Sequence, residues 1–465
     1  MNKHAALIES LDIASLQAAL ARRIAFRTES QLPEAAPELR RYLTEEMAPS
    51  FAALGFQTEI WENPVDGGPP FMFAGRQEEA ALPTVLMYGH GDVVPGDEAR
   101  WRKAASPWAL EIKDGRWYGR GSADNKGQHS INLAAIGHLL KHQGRLGFNV
   151  KWLLEMGEEV GSPGLQQICE QHKPALAADV FIASDGPRLR TEAPTLFLGS
   201  RGVMNFKLEL IAREGAHHSG NWGGLLANPG VILASAIASI VDAHGVIQVE
   251  GLRPPPLPDS VRQALSTVQP GEPGGPMIDT QWGEPGLSPA ERVFGWNSVE
   301  VLAFRAGNPD RPVNAIPPRA VAFMQIRFVV GKDPQGFIPA LREHLDAKGF
   351  GQIELSQEGS EIMQATRTDP DSAWVRFAVR SLTETTGQAP VLLPNLGGSL
   401  PNDCFAGTLG LPTIWVPHSA PTCSQHAPDE HLPAYSGEQG LAIMVGLLGD
   451  LGEGWPEGVS PRRGV

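Results

Sequence analysis

The chain has 465 residues, of which 42% are hydrophobic and 19% charged, and its formal net charge is −14. That length predicts two or three domains with room for a large core, and the acidic balance argues against a nucleic-acid-binding surface. No apolar run is long enough to span a bilayer, and residues 1–30 lack the unbroken apolar stretch of a secretory signal.

In chain order, residues 8–28 and 36–54 carry apolar residues at helical spacing, and Gly55 stops the second helix. Residues 56–61 read as a strand. The run 84–88 is short, apolar and bounded by Pro83 and Gly89, the pattern of a buried strand, and it leads to His90 and Asp92. Side chains at i and i+2 share one face of a strand, so these two emerge side by side where the strand stops. Residues 101–107 form a loop and 110–118 a hairpin. The stretch Gly-Arg-Gly-Ser-Ala-Asp-Asn-Lys-Gly over 119–127 leads into a helix over 128–142. The strand 148–154 runs into Glu-Met-Gly-Glu-Glu-Val-Gly, and the strand 179–183 into Ser184-Asp185-Gly186. Strands alternating with helices predict a mostly parallel sheet.

The texture changes at about residue 199. A strand over 203–211, a polar loop over 216–224 and a helix over 229–243 come first. A Pro- and Gly-rich irregular insertion over 251–290 follows, then a strand over 320–329 and a helix over 334–348. Residues 366–370 read as a hinge, after which a helix over 372–386 and a strand near Val391 restore the alternation. The expected organisation is therefore an α/β domain built from 1–198 and 369–465, with an α+β domain over 199–368 inserted into it.

His90, Asp124, the pair Glu158-Glu159 and Asp185 all lie where an apolar run or a hairpin gives way to a Gly-rich loop. The carboxyl ends of parallel strands share one edge of the sheet, so these residues are expected to converge. Any one of them alone reads equally well as a turn residue or a solvated acid. Gathering several carboxylates in a crevice is costly unless a cation neutralises them. Three scattered cysteines (Cys169, Cys404, Cys423) form neither a disulfide framework nor a zinc knuckle, so a metal site has to use His, Asp and Glu in a reducing, cytoplasmic setting. Asp124 stands where a dinucleotide fingerprint needs its third Gly. The chain holds no P-loop, no His-Glu-x-x-His helix and no Gly-x-Ser-x-Gly elbow.

With Gly-His-Gly-Asp-Val-Val-Pro (89–95), Tyr-Gly-Arg-Gly-Ser-Ala-Asp-Asn-Lys-Gly (118–127), Glu-Met-Gly-Glu-Glu-Val-Gly-Ser (155–162), Ser-Asp-Gly-Pro (184–187), His-Ser-Gly (218–220), Gly-Gly-Ser-Leu-Pro (397–401) and Gln-His-Ala-Pro-Asp-Glu (425–430), the sequence resembles the M20 family of metal-dependent amidohydrolases and peptidases. That family includes the acetylornithine deacetylases, succinyl-diaminopimelate desuccinylases, carboxypeptidase G2 and the carnosinase-type dipeptidases. The resemblance implies a zinc-exopeptidase-like catalytic domain with a mostly parallel central sheet, plus an inserted α+β lid and dimerisation domain. It implies two divalent ions, zinc first and manganese or cobalt as alternatives. Asp124 would bridge them, with His90 and Asp185 on one ion and Glu159 and His426 on the other. His418 and His431 are the rivals of His426, and the Gln-His-Ala-Pro-Asp-Glu match favours His426. Asp92 would orient His90, Glu158 would be the general base, and the Asp124–Asn125 peptide would be cis.

His218 would face substrate across a homodimer, with the strand 203–211 offering a sheet edge and the helix 229–243 a helix for self-association. Arg327, Asn314, Gly398 and Ser399 would grip a substrate carboxylate; the Arg fork matches such a group. The length of the inserted segment and Val-Asn-Ala-Ile-Pro (313–317) resemble the carnosinase branch, which implies dipeptides or N-acyl amino acids as substrates. No nucleic-acid or membrane partner is expected. The alternatives are a non-catalytic binding protein on the same fold and a metal-dependent esterase or phosphoester hydrolase.

Overall fold

The computed structural model describes residues 3–271 and 276–459. Its larger sheet has eight strands in the spatial order Gln57–Trp61, Phe71–Arg76, Asn149–Glu155, Thr84–His90, Val180–Ala183, Thr413–Trp415, Thr195–Phe197 and Val391–Leu393. The four in the middle, Asn149–Glu155 to Thr413–Trp415, run parallel. Phe71–Arg76 is antiparallel to both of its neighbours, and Thr195–Phe197 meets Thr413–Trp415 antiparallel. The sheet is mixed at its flanks and parallel where the candidate residues emerge. Val85–Tyr88 and Val180–Ala183 are buried at every position, as expected for strands covered on both faces. Helices Ile13–Ile24, Lys126–Gln143, Ala373–Thr386 and Ala434–Glu453 pack on one face. Leu165–Gln171, Asp259–Leu265 and Pro289–Phe294 pack on the other.

The N-terminal helices are more broken than their spacing predicts. Asp12 accepts the Ser15 N–H at 2.9 Å, which caps a new helix Ile13–Ile24 and separates it from Ala5–Glu9. The second helix passes through a wide turn at Tyr42–Met47 before Ala48–Ala52, where Pro49 has no N–H to donate to the preceding turn. The segment 251–290 is not wholly irregular: it contains the helix Asp259–Leu265, and a Ser288–Glu291 capping box starts Pro289–Phe294. Residues 272–275 of that segment lie outside the described residues.

A second, antiparallel sheet has the order Ser298–Ala306, Arg319–Phe328, Gly202–Ile211 and Glu354–Met363. Pro229–Ile240 and Phe337–Ala347 cover it, burying Leu233, Ile240, Phe337 and Leu341 against Met204, Phe206 and Leu208. Gly202–Ile211 is paired on both sides. It is therefore not the free edge expected for self-association. The edges are Ser298–Ala306 and Glu354–Met363, and the first exposes Val301, Leu302 and Phe304.

Candidate metal centre and substrate cleft

The parallel strands deliver their carboxyl ends to one edge, and the site is assembled there. His90 ends its strand fully buried. Its Nε2 lies 3.0 Å from Asp124 Oδ1 and 3.6 Å from Asp185 Oδ2, and its Nδ1 lies 3.3 Å from Asp92 Oδ1. Asp92 also accepts the N–H groups of Glu158 at 3.2 Å and Glu159 at 3.1 Å, and the Ser30 hydroxyl at 2.7 Å. One buried carboxylate thus fixes the imidazole and the tight turn Glu158–Val160 together.

Asp124 is held by its backbone. The buried Glu430 carboxylate accepts N–H bonds from Gly121 at 3.1 Å, Ala123 at 2.9 Å and Asp124 at 3.1 Å, and pairs with Arg120 at 2.7 Å. The next helix starts so close that a Cβ on Gly127 would stand 1.8 Å from the Ser122 carbonyl oxygen, so only glycine fits. The Asp124–Asn125 peptide is cis, as the family resemblance implies. Asn125 Nδ2 donates to the Ser184 carbonyl at 2.8 Å, tying this loop to the strand end that carries Asp185.

The two oxygens of Asp124 face opposite ways. Oδ1 meets His90, and Oδ2 lies 2.9 Å from His426 Nε2, which is itself 3.1 Å from Glu159 Oε2. Two triads result, His90–Asp124–Asp185 and Asp124–Glu159–His426, each with its ligand atoms within 4.8 Å of one another. They share Asp124. Among the described residues, Asp124, Asp185, Glu158 and Glu159 pair with no Lys or Arg. Burial pushes the Glu158, Glu159 and Asp185 carboxyls above their usual range, and neighbouring carboxylates push further the same way. Burial alone would lower His90, but Asp124 and Asp92 hold it well above an ordinary imidazole. Glu159 Oε1 is buried with no hydrogen-bond partner. An orphaned oxygen among crowded acids and two imidazoles is a donor set that divalent ions with mixed O and N preference satisfy.

His418 and His431 stand outside both triads. His418 is buried against Ser184 Oγ at 3.0 Å and Asn132 Oδ1 at 3.1 Å, and burial holds it well below the usual imidazole range. His431 Nδ1 is bonded to the Asp429 carbonyl at 2.9 Å.

Of the residues expected at the substrate, Arg327 and Ser399 meet: Nη1 donates to the hydroxyl at 2.8 Å. Gly398 is exposed in the same loop. Asn314 and His218 lie together on another feature, the two-stranded ribbon of His217–His218 with Ala315–Ile316, where the Ser219 N–H donates to the Asn314 carbonyl at 2.9 Å. His218 is exposed, belongs to neither triad, and accepts the Gly220 N–H at 3.1 Å. Ser30, Glu430, Gln425 and Arg201 also take part, beyond the residues expected from the sequence. Gln425 Nε2 donates to Asp124 Oδ2. Arg201 Nε donates to the Gly397 carbonyl at 2.8 Å, and the Ser399 hydroxyl donates to the Arg201 carbonyl at 2.7 Å. Gln425 and Glu430 lie inside a quoted motif, whereas no local signal marks Ser30 or Arg201. No helix among the described residues is long and apolar enough to cross a membrane.

Residues 86–450 match the family model of peptidase family M20/M25/M40. A cysteinylglycine-S-conjugate dipeptidase of Corynebacterium striatum is 28% identical over 330 residues, covering 69% of this chain and 70% of that protein. A β-Ala-His dipeptidase of Rattus norvegicus is 35% identical over 187 residues, covering 40% of this chain and 38% of the relative. Among solved structures, the M20 family metallo-carboxypeptidase Sso-CP2 from Sulfolobus solfataricus superposes with a TM-score of 0.78 at 26% identity, over 94% of this chain and 99% of the other.

Proposed function

The chain belongs to peptidase family M20/M25/M40, and on that premise we propose that it hydrolyses the peptide bond of dipeptides with a free C-terminal carboxylate, using two divalent metal ions. The observation that carries this reading is the pair of triads sharing one buried carboxylate, Asp124, with Glu158 beside them. His90, Asp185 and Asp124 would hold one ion; Glu159, His426 and Asp124 the other. Zinc is the proposed occupant, since imidazole and carboxylate ligands suit it, with manganese and cobalt as substitutes. Bound there, the ions supply Lewis acidity and lower the pKa of water toward about 7.

The chain's own residues do the rest. Asp92 fixes the ring of His90 and the turn that carries Glu158. Burial raises the Glu158 carboxyl, which suits a group that takes a proton from the attacking water and returns it to the leaving amide nitrogen. Arg327, Ser399, Gly398 and Asn314 are proposed to grip the carboxylate. We assign the two N-terminal and C-terminal segments 1–198 and 369–465 to the catalytic domain, and 199–368 to a lid and dimerisation domain. A homodimer is supported by the exposed apolar edge at Val301, Leu302 and Phe304 and by exposed Val231 on the covering helix. In it, His218 of one protomer reaches the other's site and donates to the developing oxyanion. Cys169, Cys404 and Cys423 are buried and form no disulfide among the described residues, which favours a cytoplasmic setting.

The test is hydrolysis of Ala-Leu, Cys-Gly and β-Ala-His, followed by mass spectrometry, before and after dialysis against a chelator and with zinc, manganese or cobalt added back. Loss on chelation and recovery on addition support the reading. Full activity in a verified metal-free sample sinks it. Turnover of phosphoesters or simple esters in place of peptides moves the assignment to those bonds, and binding without turnover moves it to a non-catalytic protein.

A further inference from the structure

A cavity of about 510 Å³ lies beside the loop that carries Ser399. Among the described residues its apolar walls include Leu189, Phe197, Phe294, Leu393 and Leu396, and Gly271 and Pro276 stand at its rim. It touches the proposed substrate machinery at three points. Gly397 and Gly398 line it, and they lead into Ser399, which holds Arg327. Pro187 lines it two residues beyond Asp185, and Thr422 four residues before His426. The link to the metal end is also physical: a Cβ on Gly186 would stand 3.4 Å from Phe197 and 3.5 Å from Leu396, so the neighbour of Asp185 packs on the cavity wall. On the far side, Gly397 faces the helix Pro289–Phe294, where a Cβ would meet Val293 at 3.3 Å and Phe294 at 3.7 Å.

Among the described residues that line the cavity, Arg188 is the charged one, and it is not free for a guest. Its guanidinium is committed to the carbonyls of Pro417, Thr191 and Ser436 and to Gln439. A carboxylate held between Arg327 and Ser399 belongs to the substrate's C-terminal residue, whose side chain branches from the adjacent Cα. The walls next to that point are Gly397, Gly398 and the apolar cavity.

Resting on the dipeptidase reading above, we propose that this cavity receives the side chain of the substrate's C-terminal residue and selects a bulky apolar one. The preferred substrates are then dipeptides ending in Leu, Ile, Met or Phe, not in Gly, Asp or Lys. Burying such a side chain in a preformed apolar cavity favours it over glycine by roughly ten- to hundredfold in kcat/KM.

The experiment uses the metal-loaded full chain and compares Ala-Gly, Ala-Leu, Ala-Phe, Ala-Asp and Ala-Lys, with Leu-Gly as the control for the N-terminal side. The same comparison is made in Leu189→Trp and Leu396→Trp, which fill the cavity from two different walls, so one folded variant suffices. The expected result is a ratio of Ala-Leu to Ala-Gly of about ten or more, falling to within about twofold in the filled variants. Preference for Asp or Lys overturns the proposal, as does a filled variant that changes Leu-Gly against Ala-Gly instead. Calorimetric titration with free L-leucine and glycine reads the cavity without turnover. Leucine should bind at least about tenfold tighter than glycine, and Leu189→Trp should erase the difference. If no dipeptide is cleaved, the dipeptidase reading falls and the titration still decides the cavity; equal binding of both amino acids overturns the proposal.

Discussion

His90 is fully buried with its ring nitrogens facing Asp92 and Asp124, whereas His218 is exposed and its ring takes one hydrogen bond, from the Gly220 N–H. Around His90 the partners are themselves held in place. Asp92 is itself held by Ser30 and two backbone N–H groups, and Asp124 by the bonds that Glu430 makes to its loop. Such a group is set in place when the chain folds and needs no further ordering at the moment of reaction. The ribbon of His218 pairs along its backbone with Ala315–Ile316, and the Ser219 N–H donates to the Asn314 carbonyl. In the proposed dimer the partner protomer is the surface that would bring this side chain to work. The contrast separates what folding alone prepares from what the proposed assembly would complete.

The strongest way to break the prepared end is Asp124→Ala, because both triads lose their shared member. Bound metal measured by elemental analysis should fall to background, and hydrolysis should drop by at least about 10⁴-fold. One ion retained at full occupancy would show that the triads are independent. Next comes Glu158→Gln, which keeps the shape but cannot accept a proton. The expected cost is about 10²–10⁴ in kcat, with metal content unchanged, since Glu158 belongs to neither triad. If Glu158→Gln empties a site and Glu159→Gln does not, the two roles are exchanged.

The open end is tested by His218→Ala. Losing one donor to the developing oxyanion costs roughly 2.7–4 kcal/mol in kcat, about 10²–10³-fold, and metal content should again hold. The comparison sharpens when His218→Ala is mixed with Glu158→Gln and subunits are exchanged. A heterodimer then has one site in which native Glu158 meets native His218 from the other chain, and activity should partly return. Heterodimers seen by native mass spectrometry without any recovery would place the action of His218 within its own chain or nowhere.

The same contrast governs what the sequence makes legible. That His90, the Glu158-Glu159 pair and Asp185 gather at one edge follows from apolar runs ending in Gly-rich loops, a signal local to each strand. The strands Phe71–Arg76, Thr195–Phe197 and Ser298–Ala306 escape it for separate reasons. The first follows Pro69-Pro70 and contains Gly75, and the second is three residues long. The third is exposed at most positions on both faces, so no alternation marks it. Glu430 acts on residues more than three hundred positions away, and Ser30 on one 62 positions away. Contacts of that range are set by the packing of the whole sheet and leave no periodic trace.

Ser30→Ala is the mildest of these tests and bears most directly on how over-determined the His90 end is. The Ser30 hydroxyl is one of three donors to Asp92, with the N–H groups of Glu158 and Glu159. Its removal leaves Asp92 Oδ2 with the Glu159 N–H at 3.1 Å, and Oδ1 with the Glu158 N–H at 3.2 Å and the His90 ring at 3.3 Å. Since no oxygen of Asp92 is stranded, the cost should be that of one ordinary hydrogen bond, about 0.5–1.5 kcal/mol of stability. A freer Asp92 holds the imidazole less firmly, and partners behind a ligating histidine typically contribute 10–100-fold in metal affinity. Because two donors remain, Ser30→Ala should weaken metal binding by about tenfold or less, the low end of that range. Chelator-competition titration and thermal unfolding read the two effects separately. A hundredfold loss of metal affinity with unchanged unfolding would mean that the hydroxyl, and not the backbone of the 158–159 turn, sets the orientation of Asp92.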